Sequence, residues 1–90
     1  MREIRYHRHA ARYMKRMPVA RKEQLKRLIE ELATLEEPQE HPAVLKMAVD
    51  WAGCYRARVR QYRAIFTLRT DGGIDLLLVL QVGARGDVYK

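Results

Sequence analysis

The stretch Cys-Tyr-Arg-Ala-Arg-Val-Arg-Gln-Tyr-Arg-Ala-Ile-Phe-Thr-Leu, from Cys54 to Leu68, constrains the fold more than any other part of the chain. Successive side chains of a strand point to opposite sides, so Tyr55, Ala57 and Val59 share one face and Arg56, Arg58 and Arg60 the other. The pattern predicts two short strands joined by a tight turn, with one core face and one basic face. With Arg60 and Gln61 as the turn, Val59 faces Tyr62, Arg58 faces Arg63 and Ala57 faces Ala64. Tyr62, Ala64, Phe66 and Leu68 then join the core face. Arg63 lands on the basic face opposite Arg58, where like charges destabilise a cross-strand pair unless an anion lies between them. That placement asks for a phosphate.

Along the rest of the chain the pattern is that of one α+β unit over residues 1–90. Arg2 to Tyr6 reads as a strand with Ile4 and Tyr6 inward. From Arg8 the period becomes helical, through Ala10, Tyr13, Met14 and Met17, with both methionines as core filling. Pro18 ends that helix and is expected as the first residue of the next. In the second helix Leu25, Leu28, Ile29, Leu32 and Leu35 form an apolar stripe, and Glu36-Glu37-Pro38 stops it. Val44 to Met47 is a brief extended piece, and Trp51 is expected to cover an edge of the core. Asp71-Gly72-Gly73 signals a turn into a last strand from Ile74 to Val82. Leu76 to Leu80 is apolar on both faces, so this strand belongs inside the sheet, with the N-terminal strand on its free side. The loop length, two residues or three, decides which of its residues face the helices. The expected architecture is an N-terminal strand, a two-helix hairpin and a three-strand antiparallel meander, with the helices on one face of the sheet.

Charge narrows the partners. The net charge is +7, and residues 1–27 carry ten Arg or Lys against two acids, residues 28–50 one against six, and residues 51–90 seven against three. Such a field attracts polyanions, and nucleic acid is the leading class. A single cysteine, Cys54, excludes an internal disulfide and is expected as a small half-buried residue. No apolar run is long enough for a membrane helix or signal peptide, so a reducing cytoplasm and no membrane partner are expected. His7 and His9 are spaced to share a strand face, but His41 is remote and no cysteine pair exists, so neither a metal nor another cofactor is expected. Glu30 and Glu31 are adjacent on a helix and do not converge.

The tail Val82-Gly83-Ala84-Arg85-Gly86-Asp87-Val88-Tyr89-Lys90, following this hairpin and two amphipathic helices, resembles the RelE-like toxins of the RelE/ParE toxin-antitoxin superfamily. The similarity spans nearly the whole chain. Its specific parts are Cys54 to Arg60, Tyr62-Arg63, Val82-Gly83, Arg85 and Tyr89. The resemblance implies a toxin that enters the ribosomal A site and cuts the messenger RNA there, restrained by a cognate RelB-like antitoxin and monomeric within that complex. Carried over by motif, the basic hairpin positions fall on Arg56, Arg58 and Arg63, and the later pair on Arg85 and Tyr89. Ala84 stands where family members often carry a histidine or lysine, and Arg60 where they often carry the turn glycine.

Cutting RNA through its own 2′-hydroxyl needs proton removal, positive charge for a phosphorane-like transition state, and help for the departing 5′-oxygen. Three arginines supply charge but stay protonated, so Tyr89 is the candidate base and Arg85 the candidate stabiliser of the leaving oxygen. Lys15, Arg16, Arg21, Lys22, Lys26 and Arg27 form by default a solvated helix face; under the resemblance they become candidate contacts for ribosomal RNA. Two alternatives have other functions: a non-catalytic inhibitor resembling the ParE branch, which targets DNA gyrase, and a degenerate toxin that only binds its antitoxin.

Overall fold

The computed structural model describes residues 1–48 and 51–84. Its elements are β1 (Glu3–Tyr6), α1 (Arg8–Lys15), α2 (Val19–Thr34), a single 3-10 turn at Pro38–Glu40, β2 (Val44–Lys46), β3 (Cys54–Val59), β4 (Tyr62–Asp71) and β5 (Ile74–Ala84). The strands form one sheet in the order β1-β5-β4-β3-β2. All neighbours are antiparallel except β1 and β5, which run parallel. The expected meander is present, and the brief extended piece after residue 43 becomes its edge strand, β2.

Alternation sets the core. Ala57, Tyr62, Ala64 and Phe66 from the hairpin meet Leu77, Val79 and Val82 of β5 beneath Ala10, Met14 and Met17 and the α2 residues Leu25, Ile29 and Leu32. Leu25, Ile29, Leu32 and Phe66 are wholly buried, each worth about 1.5–3 kcal/mol of transfer free energy. Ile4 and Tyr6 pack against this cluster from β1, and Leu28 and Leu35 flank the α2 stripe. Both helices therefore cover one face only.

Two turns fix the register. Asp71 pairs with Ile74 across the two-residue loop Gly72-Gly73, whose φ values of 58° and 83° suit a primed hairpin turn. The two-residue loop puts Leu77 and Val79 toward the helices, which settles the parity that the sequence leaves open. In the other hairpin Val59 pairs with Tyr62, and Arg60 takes φ 54°, a left-handed conformation that glycine adopts more cheaply. Farther along, Phe66 pairs with Val79 and Ile65 with Gln81, so Leu80 is an extra residue bulged out of β5.

Three expectations are corrected. Pro18 has φ −53° and ψ 137°, extended rather than helical, and so precedes α2 as its N-cap instead of opening it. Its ring lacks a capping acceptor, and no side chain caps that end. His7 and His9 do not share a strand: His7 is the N-cap of α1 and His9 lies in its first turn. Trp51 is not packed on the helix-covered core; it borders a hollow with His7, His9, Leu80 and Gln81.

The C-terminus of α2 shows a contact that local sequence hides. No basic residue lies in its last turn. Arg2, just ahead of β1, supplies the missing donors: its backbone N–H donates to Ala33 O at 2.8 Å, and its guanidinium donates to the carbonyls of Leu35 and Glu36. Carbonyls at a helix end lack intrahelical partners, so a cation there is favourable for both hydrogen bonding and the helix dipole.

Candidate functional site

The arginines of the hairpin emerge on the sheet face that the helices leave open. Arg58 and Arg63 are directly paired across β3 and β4, and Arg56 pairs with Ile65 one row of that face away. Arg56 and Arg63 are half-buried and Arg58 is exposed. Arg58 is anchored at both ends of its residue: its backbone N–H donates to Ala43 O at 3.1 Å, and its Nε donates to Arg60 O at 3.1 Å. Arg63 Nε is buried with no hydrogen-bond partner among the described residues. Neither Arg58 nor Arg63 forms an ion pair among those residues; the Arg5–Glu3 salt bridge and the His41–Glu31 hydrogen bond, both at 2.6 Å, lie elsewhere. Two adjacent cationic side chains, one with a buried donor open, make a site suited to an anion.

Arg56, Arg58 and Arg60 also border a hollow of about 380 Å³ with Pro42, Ala43 and Leu45. Leu45 pairs with Arg56 and is 56% exposed, an apolar side chain beside guanidinium groups. The expected site omits both Arg60 and Leu45. Alternation along β3 does signal Arg60, but Leu45 becomes visible only once β2 is known to pair with β3.

The helical cations do not join this site. Both helices pack on the opposite face of the sheet, so Lys15, Arg16, Arg21, Lys22, Lys26 and Arg27 are separated from the hairpin arginines by the core. Nor do the six act alike. Lys15, Lys22 and Lys26 rim a hollow floored by Tyr6, Ala11 and Met14, Arg21 Nη1 donates to Gln24 Oε1 at 2.9 Å, and Arg16 and Arg27 are exposed. Arg85 and Tyr89 lie outside the described residues. The last described residues do reach the site: Gly83 pairs with Arg63 and Ala84 with Tyr62, so β5 ends beside the hairpin turn.

Among the described residues, Tyr6, Glu37 and Cys54 are shifted, and only Cys54 lies near the hairpin arginines, two residues before Arg56 on the same face of β3. Burial, aided by the negative charge of Glu30, raises the Tyr6 phenol. Burial raises the Cys54 thiol, which makes it a poor nucleophile. A hydrogen bond with Glu40 and that residue's charge raise Glu37. Among the described residues no group of three or more His, Cys, Asp or Glu side chains is arranged to hold a metal ion. No helix among them is long and apolar enough to cross a membrane.

A strand, two helices and an antiparallel meander with a basic face define a fold shared with small bacterial and archaeal toxins. The chain is similar to RelE of the RelE-RelB complex from Pyrococcus horikoshii OT3, at 21% identity over 96% of this chain and 97% of that one, with a TM-score of 0.72. It is also similar to the YoeB/ParE toxin from Agrobacterium tumefaciens, at 16% identity over 92% and 98%, with a TM-score of 0.74. A mutant of E. coli toxin RelE in the free state gives 19% identity over 98% and 90%, with a TM-score of 0.72. At these identities the likeness establishes the fold. No curated protein sequence matches the chain significantly. The family model described as ParE toxin of type II toxin-antitoxin system, parDE, matches residues 4–89. The chain belongs to that family, and is a toxin of the RelE/ParE superfamily.

Proposed function

We propose that this toxin is a ribosome-dependent endoribonuclease, which cuts messenger RNA in the A site through the 2′-hydroxyl of the message. The observation that carries this is the Arg58–Arg63 pair on the open sheet face, with Arg63 Nε buried and unpartnered among the described residues. Two arginines paired directly across neighbouring strands are a cost to folding, and the positive face they make would favour a phosphorane-like transition state, which carries more charge than the ground-state phosphodiester. In this mechanism Arg56, Arg58 and Arg63 bind the scissile phosphate, Tyr89 in its phenolate form accepts the 2′-hydroxyl proton as the 2′-oxygen bonds to phosphorus, and the bond from phosphorus to the 5′-oxygen breaks with Arg85 stabilising that oxygen, which takes a proton from water. No metal is needed for these steps. The exposed helical cations, Arg16 and Arg27 foremost, are suited to contacts with ribosomal RNA backbone from the far side of the sheet.

The same site explains the need for an inhibitor. Similar structures are described as complexes with RelB or YefM, and a RelB-like antitoxin with an acidic, amphipathic segment would neutralise the arginine face here. The toxin would act in the cytoplasm and be present as one copy per antitoxin-bound unit. Binding should weaken with salt.

The test is expression of the toxin followed by mapping of RNA ends on translated messages. Cuts within codons that depend on translation are the expected result. Intact messages with trapped gyrase-DNA complexes would replace the nuclease by a gyrase inhibitor, and a chain harmless when expressed alone would be a degenerate toxin.

A further inference from the structure

A second hollow, of about 260 Å³, opens on the sheet beside β5 and has no part in the chemistry above. It is bordered by His7, His9, Trp51, Leu80 and Gln81. His7 follows the inward Tyr6 in extended conformation, so strand parity turns it to the face opposite the helices. Its ring stacks on that of His9, with centroids 5.0 Å apart and planes inclined by 12°. The pair is held locally, because His7 Nδ1 accepts the His9 backbone N–H at 3.2 Å. Both histidines are nonetheless exposed, so a flat stacked surface is presented to solvent.

The bulge in β5 completes the wall. In a regular strand, alternation would give the open face one residue of every consecutive two. With Leu80 inserted between Val79, paired with Phe66, and Gln81, paired with Ile65, both Leu80 and Gln81 border the hollow. Gln81 also shares a register row with Ile65 and Arg56. On the same face Gln81 therefore lies one strand from Arg63 and two strands from Arg56, the latter roughly 10 Å at ordinary strand spacing.

We propose that this hollow is a subsite for a purine base of single-stranded RNA, next to the nucleotide whose phosphate the hairpin arginines hold. It rests on the RNA-cleaving function proposed above. Imidazole and indole rings with a leucine side chain offer planar, apolar contact, and among the described residues the lining contains neither carboxylate nor guanidinium, so a flat neutral group suits it better than a phosphate. Gln81 contributes one amide donor and one acceptor, enough for a base edge. Purines have the larger stacking surface, so they are favoured over pyrimidines.

Trp51 is the only tryptophan, and its fluorescence reports on the hollow directly. A non-cleavable 2′-O-methyl triadenylate should quench it saturably in the full-length toxin, with 2′-O-methyl triuridylate binding about tenfold more weakly. His9→Ala, an exposed helical position where alanine favours the helix, should weaken triadenylate binding about tenfold. Absence of quenching, equal affinity for the two trinucleotides, or unchanged affinity in His9→Ala would overturn the subsite. Mapping of cut sites separates this outcome from the fate of the nuclease. If the wild type cuts messages and His9→Ala keeps the same preference beside the cut, the subsite is wrong and the nuclease stands. If the wild type leaves translated messages intact, the nuclease is wrong, while the quenching result alone decides whether the hollow takes a base.

Discussion

Arg63 carries the greatest weight among single residues, because its guanidinium is half-buried on the open face and its Nε has no partner among the described residues. Arg63→Ala should lower single-turnover cleavage by about 10²-fold or more through lost transition-state charge stabilisation. It should leave the fold intact, since the side chain does not enter the helix-covered core. Tyr89→Phe tests the base: a comparable loss with little change in ribosome binding is expected if the hydroxyl moves a proton. Wild-type cleavage by Tyr89→Phe beside an inactive Arg63→Ala would leave the arginines in place and transfer the base to the ribosome or the message. Arg60 supplies a stability counterpart. Its φ of 54° favours glycine, so Arg60→Gly should be neutral or stabilising by up to about 1 kcal/mol in a denaturant titration. A loss larger than that would mean that the Arg60 side chain has a structural role in the turn. At this scale the hairpin was legible in advance: strand parity alone places Arg56, Arg58 and Arg63 on one face, and the observed pairs agree. Leu45 was not, because its neighbour Arg56 is reached only through pairing across a connection that carries no strong local signal.

Among the elements, α2 combines a legible stripe with an illegible end. Leu25, Ile29 and Leu32 recur at helical spacing and are fully buried. The donors at its C-terminus come from Arg2, distant in sequence, so no local pattern could announce them. Arg2→Ala should destabilise the fold by about 1 kcal/mol, the scale of a half-exposed charged hydrogen bond, and Phe66→Ala by about 3–5 kcal/mol. Denaturant titration of both variants checks the order, and an Arg2→Ala loss equal to that of Phe66→Ala would contradict it. The last strand taught a related lesson. Leu76 to Leu80 is apolar throughout, so periodicity could not orient it; the Gly72-Gly73 loop and the bulge at Leu80 did. The spacing of two between His7 and His9 fits a strand, whereas His7 caps a helix and its ring stacks on that of His9 in the first turn.

For the whole molecule, the sheet separates two cationic surfaces, the hairpin arginines on its open face and the helical cations beyond the core. Sequence charge alone gives their total and not this division, since both sets lie in basic segments of the same chain. Cleavage by the arginine face with a tyrosine base has no metal step, so activity should persist in chelator; loss of cleavage that returns on adding a divalent cation, with ribosomes shown to stay intact, would contradict that mechanism. One substitution decides whether the message's own 2′-hydroxyl attacks at this face. On a ribosome-bound message carrying a single 2′-deoxynucleotide immediately 5′ of the mapped cut, cleavage at that bond should be abolished while toxin binding is retained, because the attacking group is missing. Undiminished cutting at the deoxy position would show that another nucleophile attacks, and would overturn the 2′-hydroxyl mechanism.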